Sequence, residues 1–389
     1  MSNANPARPL RLAIVGGGPT SWIGGMHRRA AHFDNLWHVV AGVFSSNAVR
    51  SRDAAASMGL DPARGYADVA SMIAAEKLRE DGIDGVAIMS PNDTHYPYSA
   101  AALDAGLDVI CDKPVSTTAA EARDLAARAQ AQNRVFCVTH AYSAYPMTRY
   151  MKKLIAEDAI GPVRMVQVEY LQSGLAKPIE QGTMTDSQRW KFDAERSGLA
   201  LSFSAIGCHA QHLACNVMGQ KITSVSADVG SLMPGRTVTD TILANLRFDG
   251  DARGQYTITQ AAAGGENDIR LRIYGERGLL DWSHRESAYL KLNIEGETAK
   301  VIGRGDVNLP ADIARLSRTP RGHPEGLLEA FANVYRETAE AIIARRNDQV
   351  IATTSFPTIT DAVHTMDFIE ACIESHAHNS EWTNLAISD

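Results

Sequence analysis

Short apolar runs and amphipathic stretches alternate through the first third of the chain. RLAIVGGG (11–18), WHVVAGVFSS (37–46), IDGVAIMSPN (83–92), LDVICDKP (107–114) and RVFCVTHAY (134–142) predict strands. IGGMHRRAAHF, NAVRSRDAAASMG, HYPYSAAALDAG and TTAAEARDLAARAQAQ predict the helices between them. Continuous apolar strands separated by helices imply a parallel sheet covered on both faces, with right-handed crossovers.

After about residue 145 the period changes. A helix, PMTRYMKKLIAED, precedes longer runs that alternate apolar and polar positions: VRMVQVEYLQ (163–172), ITSVSADVGSL (222–232), TDTILANLRF (239–248), ARGQYTITQAA (252–262) and IRLRIYGERGLLDW (269–282). Period-2 alternation predicts an antiparallel sheet with one face in solvent or against a partner. Two helices, GLLEAFANVYRETAEAIIARR and TITDAVHTMDFIEACIESH, close the chain. The fold class is therefore α/β. A Rossmann-like domain over 1–145 precedes an α/β domain over 146–389 with a large, mainly antiparallel open sheet, whose C-terminal helices can pack back on the first domain.

With 389 residues, two domains are expected. A net charge of −7 argues against nucleic acid as a partner, which calls for a basic face. No run approaches the roughly 18 apolar residues of a membrane span. MSNANPARPLR reads as a short disordered leader without a signal region, so a cytoplasmic location is expected. The five cysteines are scattered and form no CxxC pair, which fits buried thiols in a reducing compartment.

The glycine run GGGPTSWIGG sits between the first strand and the first helix. There glycine lets backbone approach a pyrophosphate, and the helix N-terminus offers free N–H groups. Gly16 and Gly18 match the first two glycines of GxGxxG, but Ser21 holds the third place and Gly24 comes three residues late. The turn is enlarged, with Pro19, Thr20, Trp22 and Ile23 as further cofactor candidates. No carboxylate ends the second strand. Ser45, Ser46 and Arg50 stand there instead, able to hold either a ribose or a 2′-phosphate, so NAD and NADP both remain open.

Ser90, Pro91, Asn92 and His95 of SPNDTH, and Asp112 and Lys113 of ICDKP, follow strand ends, where ligands bind in open α/β sheets. Lys113 offers an ammonium able to hydrogen-bond a substrate oxygen and stabilise an alkoxide.

In SFSAIGCHAQHL (202–213), His209 and His212 lie three apart beside Cys208 and Cys215. Zinc needs about four ligands, residues i and i+1 point apart on a helix, and no second cluster has metal spacing. One histidine can be a core residue. The reading that uses both places them at the nicotinamide, with His209 as general base.

GGG…GG, SPNDTH, CDKP and GCHAQHL after an RW pair together resemble the glucose–fructose oxidoreductase/inositol dehydrogenase (Gfo/Idh/MocA) family, from Arg11 to about Ile373. The resemblance implies a Rossmann domain, an open sheet that commonly mediates oligomerisation, and NAD(P)-dependent oxidation of a secondary alcohol on a sugar or cyclitol, or the reverse. It gives Lys113 and His209 the catalytic roles, with Asp112 in place of the usual glutamate. His212 falls where many members contact substrate, and His323 of GHPEG lies in a loop that reaches a substrate site in the inositol- and sugar-oxidising branch. The aspartate usual four residues before the histidine is here Ala205, a departure that removes the standard proton relay; Asp112 or Glu325 is a possible substitute.

His140, Tyr142, Lys177, Arg189 and Trp190 are candidates for gripping substrate hydroxyls, and the last two also for the cofactor. The expected partners are a small sugar or cyclitol and copies of the same chain, as a dimer or tetramer through the second sheet. Two other readings stay open: a glycoside-modifying enzyme that recycles tightly held NAD, and a dinucleotide-binding sensor without turnover, favoured by Ala205.

Overall fold

The computed structural model describes residues 8–184, 189–197, 201–349 and 355–386. Residues 1–7, the start of the expected leader, lie outside this set. The chain divides into two compact units. The first holds the chain up to Ser116, Ala120–Thr139 and Phe331–Ala362; the second holds Thr117–Ala119, His140–Ala330 and the chain from Val363.

In the first unit, β1 (Leu10–Gly16), β2 (Trp37–Val43), β3 (Gly85–Met89), β4 (Asp108–Cys111) and β5 (Phe136–Val138) form one parallel sheet in the order β2-β1-β3-β4-β5. Leu12, Ala13 and Ile14 are wholly buried, as are Val86, Ala87 and Ile88. Both faces of the sheet are covered, which is why these strands carry no polar alternation. The chain leaves β1 and β3 in opposite lateral directions, so a crevice opens at their carboxyl ends. There Gly16 pairs with Met89 and the glycine turn begins.

In the second unit, β6 (Val163–Leu171), β7 (Ile222–Gly230), β8 (Thr241–Phe248), β9 (Arg253–Thr259), β10 (Asp268–Gly275), β11 (Gly278–Ser283), β12 (Tyr289–Ile294), β13 (Lys300–Gly303) and β14 (Thr383–Asn384) make a sheet in the order β13-β12-β11-β10-β6-β9-β8-β7-β14. Its pairs are antiparallel except β6 with β9. Val166, Val168 and Tyr170 are buried on one face, while Met165 and Leu243 are exposed. The run 269–282 is not one strand. Gly275 ends β10 and Gly278 opens β11, a hairpin whose turn is Glu276–Arg277. A Cβ at Gly275 would lie 2.2 Å from the Ile160 carbonyl oxygen, so only glycine fits that corner.

The helix Cys208–Met218 carries both histidines and is preceded by a π-turn, Phe203–Gly207. A Cβ on Gly207 would meet the Tyr256 hydroxyl at 2.4 Å, so the turn needs glycine to lie against β9. The helix ends at Gly219 in the left-handed conformation, φ 68°, a common helix stop. Among the described residues, no helix is long and apolar enough to cross a membrane.

Candidate active site

The first unit supplies the nucleotide end. Gly16 and Gly17 have φ of 85° and 58°, which glycine adopts at no steric cost. The helix α1 (Trp22–Phe33) is capped by Ser21, whose side chain accepts from the Gly24 N–H. A Cβ on Gly24 would lie 2.4 Å from the Gly17 Cα. Gly24 thus does the work of the third glycine, close helix–strand packing, from three residues further on. Trp22 is 66% exposed, and Pro19 and Thr20 are also exposed, so the enlarged turn presents them outward; Ile23 is half-buried. Arg28 donates to the Gly17 and Gly18 carbonyls and fixes the shape of the turn. That residue went unnoticed in the sequence, where it reads as one more cation on a helix.

At the end of β2, the Ser45 hydroxyl accepts from the Asn47 N–H, and the Asn47 side chain caps the helix Ala48–Ser57 at the Arg50 N–H. Ser46 and Arg50 are exposed. This cradle of glycines, helix N-terminus and hydroxyls fits a dinucleotide.

The turn after β3 holds itself together. The Ser90 and Thr94 hydroxyls lie 2.6 Å apart, Thr94 donates to the Pro91 carbonyl, and Asn92 is buried. His95 is only 1% exposed, and its ring nitrogens lie 2.7 Å from the Pro114 carbonyl and 2.8 Å from that of Ser90. His95, expected at the cofactor, ties this turn through its ring nitrogens to the one carrying Lys113. Asp112 accepts the Lys113 N–H at 2.9 Å and the Thr139 hydroxyl at 2.8 Å through the same oxygen. Burial works against its ionisation, but His27, Lys113 and His95 outweigh it and hold the carboxyl below its ordinary range. Lys113 is half-buried.

The second unit holds a cluster of imidazoles and phenols. His140 stacks on His212, ring centroids 4.4 Å apart, and meets His209 edge-on at 5.5 Å. The Tyr142 ring stands edge-on to His209 at 5.0 Å. The Tyr142 hydroxyl lies 2.7 Å from that of Tyr170, which donates to the Asn267 side chain at 2.8 Å. His284 donates to the Asn267 carbonyl and packs edge-on against Tyr142 and Tyr145. Burial pushes the Tyr142 and Tyr170 hydroxyls up, so both are neutral. Tyr170, Asn267 and His284 lie on or beside strands whose sequence reads only as alternation, and nothing in that pattern singles them out.

His209 is half-buried, His140 and His212 only 2% exposed. Burial, with Arg149, Lys152 and His364 nearby, pushes His212 down to about 3, so it is neutral. The His212 ring, expected at the substrate, lies against His140 with almost no exposed surface. Ala205 is half-buried in the π-turn.

Lys177 and Arg189 are exposed and Trp190 is half-buried. Buried Arg236 anchors the segment before them, donating to the Leu175 and Lys177 carbonyls and pairing with Glu180 and Asp240. His323 is exposed in its loop, with its carbonyl held by Arg304. Glu325, the other candidate to replace the missing aspartate, is held through one carboxylate oxygen. One of its oxygens accepts from the Arg318 N–H at 2.6 Å and the Thr319 hydroxyl at 2.9 Å, and Arg304 pairs with it at 3.2 Å.

Among the described residues, no group of three or more His, Cys, Asp or Glu side chains could hold a metal ion. All five cysteines are free thiols, and burial raises Cys111 and Cys372, which makes both poor nucleophiles.

Residues 10–140 match the oxidoreductase family with an NAD-binding Rossmann fold, and residues 148–281 match the GFO/IDH/MocA C-terminal domain. The chain belongs to the GFO/IDH/MocA family. It is thus an NAD(P)-dependent oxidoreductase with an NAD-binding Rossmann domain. Over 381 residues it is 31% identical to the uncharacterized oxidoreductase YfiI of Bacillus subtilis, covering 97% of each chain. An inositol dehydrogenase homolog from Azotobacter vinelandii, solved with NAD+, superposes with a TM-score of 0.93 at 31% identity, over 97% of this chain and 98% of that one. The same homolog is also solved with NADH and myo-inositol, at a TM-score of 0.91. An oxidoreductase from Sinorhizobium meliloti is 37% identical with a TM-score of 0.86, over 96% and 99% of the two chains.

Proposed function

We propose that this GFO/IDH/MocA member oxidises a secondary hydroxyl of a sugar or cyclitol to a ketone, or runs the reverse. The cofactor sits on residues 1–145 and the substrate on 146–389. The observation that carries the reading is the imidazole–phenol cluster around His209: several hydrogen-bonding groups on an aromatic wall, a surface suited to a polyol with hydroxyl edges and weakly apolar faces. The likeness to a protein solved with myo-inositol supports it.

The glycine cradle, Ser45 and Ser46 hold the dinucleotide. Its nicotinamide, when bound, accepts or returns the hydride. His209 takes the proton from the substrate hydroxyl. Lys113 donates a hydrogen bond to that oxygen and stabilises the charge that develops on it. Tyr142 and His284, with Lys177, Arg189, Trp190 and His323, grip the remaining hydroxyls. His140 backs the His209 ring. The enzyme works in the cytoplasm, which suits its free thiols. It assembles as a homo-oligomer through the open face of the second sheet, where exposed Met165 and Leu243 stand among polar neighbours.

A panel of inositols, aldoses and glycosides, each with NAD and with NADP, tests this by formation of reduced nicotinamide. Lys113→Ala and His209→Ala should each lower kcat by about 10²–10⁴-fold on the best substrate. A fall of less than threefold in either would sink that assignment. Ala205, where an aspartate is expected, favours one other reading, a cofactor-binding sensor; tight dinucleotide binding with no turnover across the panel would select it.

A further inference from the structure

Behind Lys113 lies a buried pair that the mechanism above does not use. His27, in α1, is fully buried. Its Nδ1 lies 2.7 Å from the Tyr335 hydroxyl, and its Nε2 lies 4.0 Å from the free oxygen of Asp112. The ring is fixed edge-on by Phe331 at 5.3 Å and Tyr335 at 5.8 Å. The other Asp112 oxygen already serves the Lys113 N–H and Thr139.

Burial pushes His27 down to about 4, so the ring is neutral and carries one hydrogen. Two placements exist. With the hydrogen on Nδ1, a nitrogen lone pair would face the Asp112 carboxylate. With it on Nε2, an N–H dipole points at the carboxylate and the Tyr335 hydroxyl donates to Nδ1. Only the second suits both neighbours. The groups facing this pair are Arg28 from the same helix, His95, Asp112 and Lys113, and the Cys137 thiol beside Tyr335. Asp112 is the one carboxylate among them, and with the Tyr335 hydroxyl it decides which hydrogen placement is stable.

We infer that His27 and Tyr335 are positioning residues: a hydrogen-bonded pair that keeps the free oxygen of Asp112 ionised and oriented, and through Asp112 sets the placement of Lys113. The inference rests on the reading of Lys113 as the group that meets the substrate oxygen. Asp112 touches the lysine only through the backbone N–H and the shared field, so the pair acts on how that turn is held and never meets substrate.

The test uses the full-length protein and three variants. His27→Phe removes the donor. His27→Gln keeps a donor toward Asp112 and an acceptor toward Tyr335. Tyr335→Phe removes one oxygen. Ring ¹⁵N shifts should show the hydrogen on Nε2 in the wild type and a mixture of tautomers in Tyr335→Phe. The Asp112 carboxyl titrates below its ordinary range, where the His27 ring also takes up its proton, so its midpoint by ¹³C shift should rise by about 1 pH unit or more in His27→Phe. His27→Gln, which keeps a dipole but no charge, should restore part of that difference. The acid limb of kcat/KM should move the same way. A merely structural pair would lower the melting temperature and leave these midpoints in place. Hydrogen on Nδ1 in the wild type, or an Asp112 midpoint unmoved in the variants, overturns the inference. Should His27→Phe fail to fold, Tyr335→Phe decides alone. A wild type that turns over no polyol counts against the proposed activity, while the two NMR readings still decide the pair.

Discussion

The imidazoles of His140 and His212 stack face to face, 4.4 Å between centroids and 9° from parallel. Two imidazoles stack this closely only if at least one is uncharged, and burial keeps His212 neutral down to about pH 3. The unfolded chain binds that proton near pH 6.5. From pH 6.5 down to about 3 the unfolded state therefore holds a proton that the folded state refuses, so stability falls as pH drops through this window. His27, neutral down to about 4, adds to the loss in the upper part of it. Urea unfolding between pH 7 and 5 should show stability falling by up to about 1.4 kcal/mol per pH unit for each histidine. His212→Phe keeps a flat ring and should remove one proton from that slope. A variant with the wild-type slope would mean that His212 is not the group responsible.

The glycine turn makes a sharper prediction, because the two glycines that open α1 differ. A Cβ at Gly24 would lie 2.4 Å from the Gly17 Cα and as close to its carbonyl oxygen, and backbone cannot yield there. At Gly25 the nearest atoms, 3.2 Å away, belong to the Arg29 guanidinium, the far end of a flexible side chain. Gly24→Ala should weaken dinucleotide binding at least about tenfold by calorimetry, a loss of about 1.4 kcal/mol. Gly25→Ala should bind within about twofold of wild type. Equal effects from both would mean that Gly24 does not play the third glycine's part.

How far the sequence reaches is visible in these residues. The five strands of the first sheet carry their own signature, continuous apolar runs ending in turn residues, and each lies within a predicted run except β1, which starts one residue earlier, at Leu10. The glycine turn was legible for the same reason, since its chemistry is local. Gly24 could not be assigned a role, because the clash that defines it is with residue 17 across the turn. The buried positions change phase across the hairpin at Gly275, from 269, 271 and 273 to 280 and 282, and the corner itself depends on the distant Ile160. His95 and His212 sit in functional-looking motifs and are almost wholly buried, and burial is a tertiary fact. Arg28, Arg236, Asn267 and His284 are ordinary polar residues in the sequence and become important only through what they reach.

Arg236 illustrates the cost of such a residue. Its guanidinium is fully buried and meets Glu180, Asp240 and two carbonyls, those of Leu175 and Lys177. Removing it would leave Asp240 buried without its cation, the costly way to break such a pair, at about 3–5 kcal/mol. Arg236→Met should lower the melting temperature and raise KM for the sugar by loosening the segment that carries Lys177, with dinucleotide affinity unchanged. A variant with wild-type KM would take that segment out of substrate binding.

Position 205 gives the most direct examination of His209. Ala205 lies four residues before His209, in the π-turn leading into its helix, and is half-buried. An aspartate there would set a carboxylate beside the imidazole and favour its protonated form. A general base must be deprotonated to act, so a higher proton affinity moves the acid limb of kcat/KM to higher pH. Ala205→Asp should therefore raise that limb by about 1 pH unit, with less activity than wild type at pH 6 and equal or greater activity at pH 9. Ala205→Asn adds the same volume without the charge and should leave the limb in place. If both variants shift the limb alike, the effect is one of packing. If neither does, the proton leaves by a group other than His209, and the imidazole cluster serves to hold substrate.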